Sequence, residues 1–460
     1  MSTFDSINPY TLEKNWTFTR HTNDELDTII QTAHEAYLDW KKTSFSHRQQ
    51  LFLKLADIMD EHRNEICRLT TIEMWMLQNM SQSILASSAN LTRRFANNGE
   101  RILSDEDFFY DNIDGKYKYD PLWVIYWIAP RNFPYNQVLR AALANIMAGN
   151  TTIYKHASNV PLCAAKIEEL FDLAWFPKGI YTNIYISWSQ SEQIISNPLV
   201  QWVNITAGEA AGSIVWWLAG KYLKPSVLEL WGNDPFVLLD HKDTKTFAAH
   251  AIACRITKWG MWGQRCNSSK RFIVMEKHYD KFIEYMKLHL ESLKWWDPFD
   301  DKTDFPPIAT SKLLKEIHDQ VTRSIADGAR LVTGGEILWD HGQFYAPTLL
   351  ADVTPEMTSF REEVFGPVAS VIKSKSIEES IALANNSEFG LSATVRWDDI
   401  DQLKEVADQL IWGMIFINNP AGSKASLPFG GVRKSGYGKE NGPEWLRAFT
   451  NKKAVVYSIG

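Results

Sequence analysis

The amino-acid sequence predicts an α/β protein built from two doubly wound domains. The chain has 460 residues, and a chain of this length usually forms two or three domains. Short, continuously apolar runs alternate with segments of helical periodicity, and a second alternation of this kind begins after Asp240. Unbroken apolar strands are typical of parallel sheets that helices cover on both faces. We therefore expect two such sheets, with a cleft between their domains.

The first half of the chain predicts a helical region, a polar segment and then the first sheet. Residues 24–96 are expected to be helical, because apolar residues recur there at helical spacing. Residues 104–118 are polar and predict an exposed arm or a hairpin. The strands expected next are 123–128, 151–154, 180–186, 202–206 and 227–230, and the helices among them are 136–147, 161–173 and 207–218.

The second half of the chain predicts another set of strands and helices. Helices are expected over 244–256, 277–293 and 311–326, and strands over 271–275, 330–332, 369–373 and 454–457. A glycine-rich loop, Pro428-Phe429-Gly430-Gly431, precedes the final strand. Because ligands of parallel sheets bind beyond the carboxyl ends of the strands, the cleft is the expected place of a functional site.

Composition and charge exclude several classes of protein. The net charge of −7 provides no basic field of the kind that holds a nucleic-acid backbone. No apolar run approaches the ~20 residues that span a bilayer, and the N-terminus lacks the pattern of a signal peptide. The four cysteines form no CxxC pair, so no metal site is expected. We expect a cytoplasmic protein without nucleic-acid or membrane partners.

Cys266 is the first candidate for chemistry. It follows Gly263-Gln264-Arg265 on a loop between an expected helix and an expected strand. Arg265, Lys258 and Lys270 lie close to it in the sequence, and neighbouring cations favour the reactive thiolate. The alternative is a small buried hydrophobic side chain, which is the commoner fate of a lone cysteine.

Two further residues have the chemistry to assist a nucleophile. Glu229 ends an apolar strand, where burial would raise its pKa and suit it to be a general base; a salt-bridged core glutamate is the alternative. Asn132, in the turn Pro130-Arg131-Asn132-Phe133-Pro134, could donate to an oxyanion or simply form an Asx turn. The segment from Ala207 to Gly212 is a weak dinucleotide-binding signal, since no intact GxGxxG is present.

Taken together, these segments resemble the aldehyde dehydrogenase superfamily over nearly the whole chain. The matching motifs are Pro130-Arg131-Asn132-Phe133-Pro134, Gly149-Asn150 to Lys155, Thr206 to Gly212, Leu228-Glu229-Leu230-Trp231-Gly232, Gly263-Gln264-Arg265-Cys266, Glu362-Glu363-Val364-Phe365-Gly366-Pro367, and Leu427-Pro428-Phe429-Gly430-Gly431 with Ser435-Gly436. The runs Lys155-His156-Ala157 and Asn233-Asp234-Pro235-Phe236 are most similar to short bacterial succinate-semialdehyde dehydrogenases.

The resemblance implies a catalytic role for each of the three candidates. Cys266 would attack an aldehyde to give a thiohemiacetal, and Asn132 with the Cys266 backbone N–H would hold the oxyanion. Hydride transfer to NAD or NADP would leave a thioester, which water activated by Glu229 would hydrolyse to the acid. The expected substrate is succinate semialdehyde or a similar short semialdehyde.

The resemblance also implies residues that bind the cofactor and the substrate. The cofactor would contact Lys155, Ala207, Gly208, Gly212, Glu363 and Phe365. Lys155 would bond the adenosine ribose, Glu363 would bond the nicotinamide ribose, and Phe365 would pack near the nicotinamide. Ala157 and Ser158 stand where many NAD-preferring relatives carry an acid, so NADP is expected to be tolerated and is a candidate for the preferred cofactor. A distal substrate carboxylate requires a cation, for which Arg131 and Arg265 are the candidates, and Phe429 would line the same pocket.

The domain division follows from the same resemblance. We expect a Rossmann-like dinucleotide-binding domain over 1–229 with an arm at about 104–120, a catalytic domain over 230–428, and a segment over 429–460 that returns to the cofactor domain and an oligomerisation sheet. The arm and the final strand are expected to pair between the subunits of a dimer or tetramer.

Several residues depart from the family pattern. Trp231 replaces a glycine and is expected to crowd the cleft, and Glu209 adds a negative charge near the expected pyrophosphate. Further tryptophans replace small or polar residues and are expected to strain turns; they are Trp75, Trp123, Trp175 and Trp412. Two alternatives therefore stay open, a cofactor-independent thiol esterase and a catalytically impaired, oligomeric binding protein.

Overall fold

The computed structural model describes residues 2–110, 113–256, 261–338 and 342–457. Lys258, one of the cations expected near Cys266, lies outside these residues. The strands are β1 (Thr3–Ile7), β2 (Lys14–Thr19), β3 (Glu106–Tyr110), β4 (Ile113–Pro121), β5 (Val124–Ile128), β6 (Thr151–Lys155), β7 (Tyr181–Ile184), β8 (Val200–Thr206), β9 (Ser226–Glu229), β10 (Pro235–Leu238), β11 (Arg271–Met275), β12 (Arg330–Thr333), β13 (Thr348–Ala351), β14 (Val368–Ser374), β15 (Ser392–Arg396), β16 (Met414–Ile417), β17 (Gly436–Tyr437) and β18 (Thr450–Val456).

The helices alternate with these strands along most of the chain. They are α1 (Asn23–Trp40), α2 (Phe45–Glu61), α3 (Arg63–Met74), α4 (Gln78–Leu103), α5 (Asn136–Ala148), α6 (Pro161–Leu173), α7 (Ser191–Ser196), α8 (Glu209–Lys221), α9 (Thr244–Arg255), α10 (Glu276–Ser292), α11 (Ser311–Ala326), α12 (Thr358–Arg361), α13 (Ile377–Asn385), α14 (Ile400–Asp408) and α15 (Gly442–Ala448).

Two largely parallel sheets confirm the predicted fold class. In the described part of the chain, the first sheet has six strands in the order β17-β9-β8-β5-β6-β7, and the second has seven in the order β12-β13-β14-β11-β10-β15-β16. Strands β5 and β6 are buried at every position, because helices pack on both faces of the sheet. Among the described strands of these two sheets, only β17, beside β9, and β12, beside β13, pair antiparallel.

The polar segment forms a hairpin that the C-terminal strand extends. Strands β3 and β4 pair antiparallel, and β18 adds to the other edge of β4, with Thr450 opposite Pro121 and Val456 opposite Gly115. This pairing lies within one chain, whereas the sequence prediction placed the arm and the last strand between subunits. On the outer strand β3, Phe109 and Tyr110 are exposed. The domain boundaries at 229 and 428 stay a prediction.

The N-terminal region differs from the prediction in one respect. Residues 24–96, expected to be helical, fold as helices α1 to α4, and Thr22 caps α1 by exchanging hydrogen bonds with Glu25 in a capping box. Ahead of them, β1 and β2 form an antiparallel hairpin that was not predicted. Its strands are mostly exposed, so they lack the apolar pattern by which a strand is recognised in a sequence.

Several tryptophans have a backbone conformation that favours glycine. Among the described tryptophans, φ is 64° at Trp75, 104° at Trp123, 68° at Trp175 and 53° at Trp262. A bulky residue in this left-handed region is strained by about 1–3 kcal/mol. The expected strain is therefore present at Trp75, Trp123 and Trp175, but not at Trp412, which is buried without a positive φ.

Replacing Trp175 by glycine is expected to stabilise the protein by about 1 kcal/mol. The indole is 75% exposed and so contributes little burial, although the Lys54 ammonium lies over its ring, a contact worth about 0.5–1 kcal/mol at an exposed site. Thermal unfolding would measure the change. Trp175→Ala is the matched control, since it removes the indole but keeps a Cβ; equal midpoints for the two variants would contradict the strain argument.

No helix within the described ranges is both long and apolar enough to cross a membrane.

Candidate active site

The loop that carries Cys266 is fixed by contacts on both sides. It precedes β11, and Gly263 at its start has φ of +70°, with its α-carbon so close to the Gly366 carbonyl that an added Cβ would lie 1.8 Å from that oxygen. The fully buried Arg255 guanidinium donates to the Ser268 hydroxyl at 2.8 Å and to the Val364 and Val368 carbonyls at 2.5 and 2.6 Å. The loop that carries Cys266 and the loop around Glu363 are thus held together.

Glu229 ends β9, and its carboxyl group is close enough to the Cys266 thiol that each group affects the pKa of the other. Its carboxyl group is 2% exposed, and burial followed by the charge of Glu440 raises its pKa to about 8, against smaller lowering effects from Arg140 and from a hydrogen bond with the Cys266 thiol. One carboxyl oxygen, Oε1, is buried with no hydrogen-bond partner in the described structure. With a pKa of about 8, the carboxyl group gains or loses its proton at mildly alkaline pH in the vicinity of the thiol.

The Cys266 thiol lies in an apolar environment formed with Leu391, Phe429 and Met414. Burial and the Glu229 charge raise its pKa well above the ordinary range, although Lys270 and Arg265 act in the opposite direction. Lys270 and Arg265 thus favour the thiolate as predicted, but the loss of hydration outweighs them, so the protonated thiol is the favoured form in this conformation.

Asn132 reaches the same loop from the turn after β5. Its side-chain amide donates to the Gln264 carbonyl at 3.1 Å, and Gln264 is in turn fixed by hydrogen bonds to the backbone at Pro307 and Ala309. The structure thus brings together Cys266, Glu229 and Asn132, which are far apart in sequence. In this conformation the Asn132 amide is engaged by the loop.

Lys155, at the end of β6, is a buried cation without an acidic partner. Its ammonium group contacts the His156 carbonyl at 3.5 Å and lies 4.5 Å from the ring centroid of Trp188. Burial, followed by the charge of Arg20, lowers its pKa to about 8. Among the described residues no carboxylate is within ion-pair distance of it. Such a group fits an anionic or hydroxyl-rich ligand at the carboxyl end of the sheet.

The N-terminus of α8 has the features of a phosphate-binding turn. Gly208 caps this helix without a side-chain hydrogen bond, so the first backbone N–H groups are left for a ligand. Gly212 permits close packing, since an added Cβ would lie 2.4 Å from Leu230. The Glu209 carboxylate, expected to oppose a phosphate, pairs with Lys434 at 3.2 Å, which partly offsets its charge. Ala207 precedes the cap at the end of β8.

Trp231 covers this turn, as expected from the sequence. The indole is 42% exposed and lies against Gly208, where an added Cβ would be 2.8 Å from its ring atoms. Its backbone does not have the positive φ that would require glycine. The residues at this end of the site therefore fit a dinucleotide in chemistry and position, with the indole as a side chain that must move.

Replacing Trp231 by glycine is expected to tighten binding of both NAD+ and NADP+ by about tenfold, or ~1.4 kcal/mol, because the cost of displacing the indole disappears. Titration calorimetry would measure both affinities. Trp216→Ala is the control, since it removes another exposed indole of α8. Unchanged or weaker dinucleotide binding by the Trp231→Gly protein would contradict this expectation.

Glu363 and Phe365 lie on the loop that Arg255 joins to the Cys266 loop. The Glu363 carboxylate is buried, pairs with Lys270 at 2.7 Å, and has a raised pKa because burial outweighs that pairing. Phe365 is partly buried, and the Arg131 guanidinium lies 5.8 Å from its ring centroid. Arg131 therefore lies next to Phe365, a residue expected to contact the cofactor.

The structure also brings a cation that was not predicted to Phe429, which clusters with Cys266. Arg140 on α5 lies 5.0 Å from the ring centroid of Phe429, donates to the Ser423 hydroxyl at 3.2 Å and forms a buried ion pair with Glu440. It also influences the pKa of Glu229. A charged residue inside the apolar run of α5 was the available signal, because a buried charge is costly without a partner or a function. Burial lowers the pKa of Arg265, and the charges of Cys266 and Cys254 partly oppose this shift.

Comparison with known proteins identifies relatives that this chain matches over nearly their whole length. Residues 1–455 match the model of the aldehyde dehydrogenase family. The chain is 36% identical to a succinate-semialdehyde dehydrogenase (NADP+) of Deinococcus radiodurans, covering 98% of this chain and 94% of that protein. It is 37% identical to an Escherichia coli succinate semialdehyde dehydrogenase (NAD(P)+), covering 98% and 97%.

Solved structures with this fold include complexes with both dinucleotides. The succinic semialdehyde dehydrogenase of Streptococcus pyogenes in complex with NADP+ superimposes with a TM-score of 0.95 at 34% identity, covering 98% of this chain and 99% of that one. An aldehyde dehydrogenase of Bacillus cereus in complex with NAD+ also gives a TM-score of 0.95, at 26% identity, covering 100% and 94%.

Proposed function

The chain belongs to the aldehyde dehydrogenase family, and from this membership we propose that it oxidises a short aldehyde to a carboxylic acid with NAD or NADP. The single observation that supports the proposal most strongly is the convergence of three buried groups: the Cys266 thiol, the Glu229 carboxyl group whose charge affects it, and the Asn132 amide, which donates to the Cys266 loop at Gln264. A bound nicotinamide dinucleotide would supply the hydride acceptor.

The first proposed step is the addition of the thiol to the aldehyde. The Cys266 Sγ forms a bond to the carbonyl carbon, its proton passes to the Glu229 carboxylate, and the carbonyl oxygen becomes an oxyanion. The Cys266 backbone N–H and the Asn132 amide, once released from Gln264, would donate to that oxygen.

The second proposed step is hydrolysis of the thioester left on Cys266 after oxidation. Glu229, again unprotonated, takes a proton from water, and the hydroxide adds to the acyl carbon while the Cys266 thiolate leaves. The high pKa of Glu229 makes its carboxylate a stronger base than an exposed glutamate. The low exposure of the thiol keeps bulk water away from the intermediate.

We propose succinate semialdehyde, or a similar short semialdehyde, as the substrate. The relatives named for this substrate support it, and a cation close to the thiol would bind the distal carboxylate. Arg131 and Arg265 were the candidates from the sequence. Arg140 is a third candidate, because its guanidinium packs on Phe429, which clusters with Cys266, although Glu440 already pairs with it.

A direct comparison of two aldehydes tests this function. With NADP+ or NAD+ present, absorbance of the reduced dinucleotide should rise with succinate semialdehyde, and much more slowly with butanal, which has the same number of carbons but no carboxylate. Reaction with neither aldehyde would overturn the proposed oxidation. Equal rates would overturn the semialdehyde preference alone.

The Trp231 indole over Gly208 favours a second candidate function. If the dinucleotide cannot displace it, Cys266 and Glu229 could still hydrolyse esters without a cofactor. Nitrophenyl-ester turnover that ignores added dinucleotide and disappears in Cys266→Ala would support the thiol esterase. A folded protein with neither activity would instead correspond to the catalytically impaired binding protein.

We also propose that the protein forms a dimer or tetramer. The exposed aromatic residues on β3 support this, because an unpaired strand edge with apolar side chains is a surface that another chain can extend. Sedimentation of a monomer at micromolar concentration would contradict it. A cytoplasmic location stays a prediction from the sequence.

A further inference from the structure

A pocket lies beside Lys155, and Cys266 is not among the residues that line it. It is formed where the N-terminal hairpin meets the segments after β6 and β7. Its lining includes Phe4, Arg20, His156, Ala157, Ser158 and Tyr185. The pocket thus continues from the end of β6, where the proposed cofactor would contact Lys155.

Arg20 is held in this pocket by several contacts. Its Nη1 donates to the Thr3 carbonyl at 2.6 Å, and its guanidinium lies 4.9 Å from the ring centroid of Phe4. The next residue, His21, exchanges hydrogen bonds with the Tyr185 backbone at 2.8 and 3.0 Å. The end of β2 is therefore attached to the segment after β7 of the first sheet. The Arg20 guanidinium is thus positioned before any ligand binds.

The pocket has a surplus of positive charge. Neither Arg20 nor Lys155 has a carboxylate within ion-pair distance in the described structure, and Ala157 and Ser158 supply none. The two cations are close enough that Arg20 contributes to the lowered pKa of Lys155. An anion between them would relieve this repulsion, and a phosphate is the anion for which a guanidinium offers matched, bidentate donors.

We propose that Arg20 binds the adenosine 2′-phosphate of NADP+ and thereby sets the preference for NADP+ over NAD+. This inference rests on the proposed function. The 2′-phosphate is attached to the ribose that Lys155 is proposed to bind, so it would lie next to the pocket. NAD+ has a hydroxyl group at that position and would gain nothing from a second cation. The unpredicted hairpin β1–β2 is thereby part of the cofactor site.

Calorimetric titration of the full-length protein with NADP+ and with NAD+ tests the proposal. Arg20→Gln is expected to weaken NADP+ binding at least tenfold and to leave NAD+ binding within about twofold, the fold-changes expected when one charge-assisted contact is lost. Lys14→Gln is the matched control, because it removes an exposed cation of the preceding strand, β2, that does not line the pocket. It should leave both affinities unchanged.

A second variant separates recognition from folding of the hairpin. Arg20→Lys keeps the charge but loses the bidentate donors, so it is expected to retain only part of the preference for NADP+. Equal losses of NADP+ and NAD+ affinity in Arg20→Gln would overturn the proposal, as would no loss at all, or an Arg20→Lys protein as poor in NADP+ binding as Arg20→Gln. A wild-type protein that binds neither dinucleotide would overturn the proposed function itself, which is a different result.

Discussion

Replacing Cys266 by alanine is expected to reduce aldehyde oxidation by at least about a thousandfold, because no other group can form the covalent intermediate. Affinity for the dinucleotide should change less than twofold, since the thiol is not among the residues proposed to hold it. Steady-state rates with succinate semialdehyde and calorimetry with NADP+ would measure the two quantities.

Cys254→Ala is the control for this substitution. Cys254 is also a buried free cysteine, but it lies on α9 and packs in the core rather than against Glu229. Its replacement should retain oxidation within a few-fold. Substantial aldehyde oxidation by the Cys266→Ala protein would contradict the proposed nucleophile.

The second large effect is expected for Glu229→Gln. The amide cannot accept a proton from the thiol or from water, so kcat should fall by about 10²–10⁴-fold. In the wild-type protein, kcat should increase about tenfold per pH unit below a pKa of about 8 and level off above it, because only the unprotonated carboxylate acts as a base. This pH dependence should disappear in the Glu229→Gln protein.

A different buried acid provides the control for the pH profile. Burial raises the pKa of Glu73 to about 7, but its carboxylate bonds Ser6 and the backbone at Leu162 and Cys163, away from the thiol. Glu73→Gln should therefore keep the wild-type profile of kcat against pH. A Glu229→Gln protein that retains that profile would show that another group is the base.

The sequence was sufficient to predict elements whose signals are local. The apolar runs at β5 and β8 predicted buried parallel strands, and the motifs around Cys266, Glu229 and Asn132 led to groups that the structure brings together. The four-residue strands β10, β13 and β16 were missed, because so short a run carries little periodicity, although β7, β9 and β12 of the same length were predicted.

Features that depend on distant partners were not predictable. The partners of Arg140, Glu440 and Phe429, are far along the chain, and Arg20 becomes notable only because its hairpin docks next to Lys155. The high pKa of the Cys266 thiol likewise follows from tertiary burial, whereas the nearby cations in the sequence suggested the opposite. The strain at Trp123 could be expected, but its φ of 104° could not be read from the sequence.

The buried Arg255 guanidinium has a mechanical consequence. Its donors join the backbone at Val364 and Val368 to the Ser268 hydroxyl, and each hydrogen bond to a charged group is worth about 1.5–3 kcal/mol. Shifting the sulfur atom independently of Glu363 would break several of these bonds at once. The two segments should therefore travel as one unit, so a ligand that immobilises Glu363 would also narrow the range of positions open to the attacking atom.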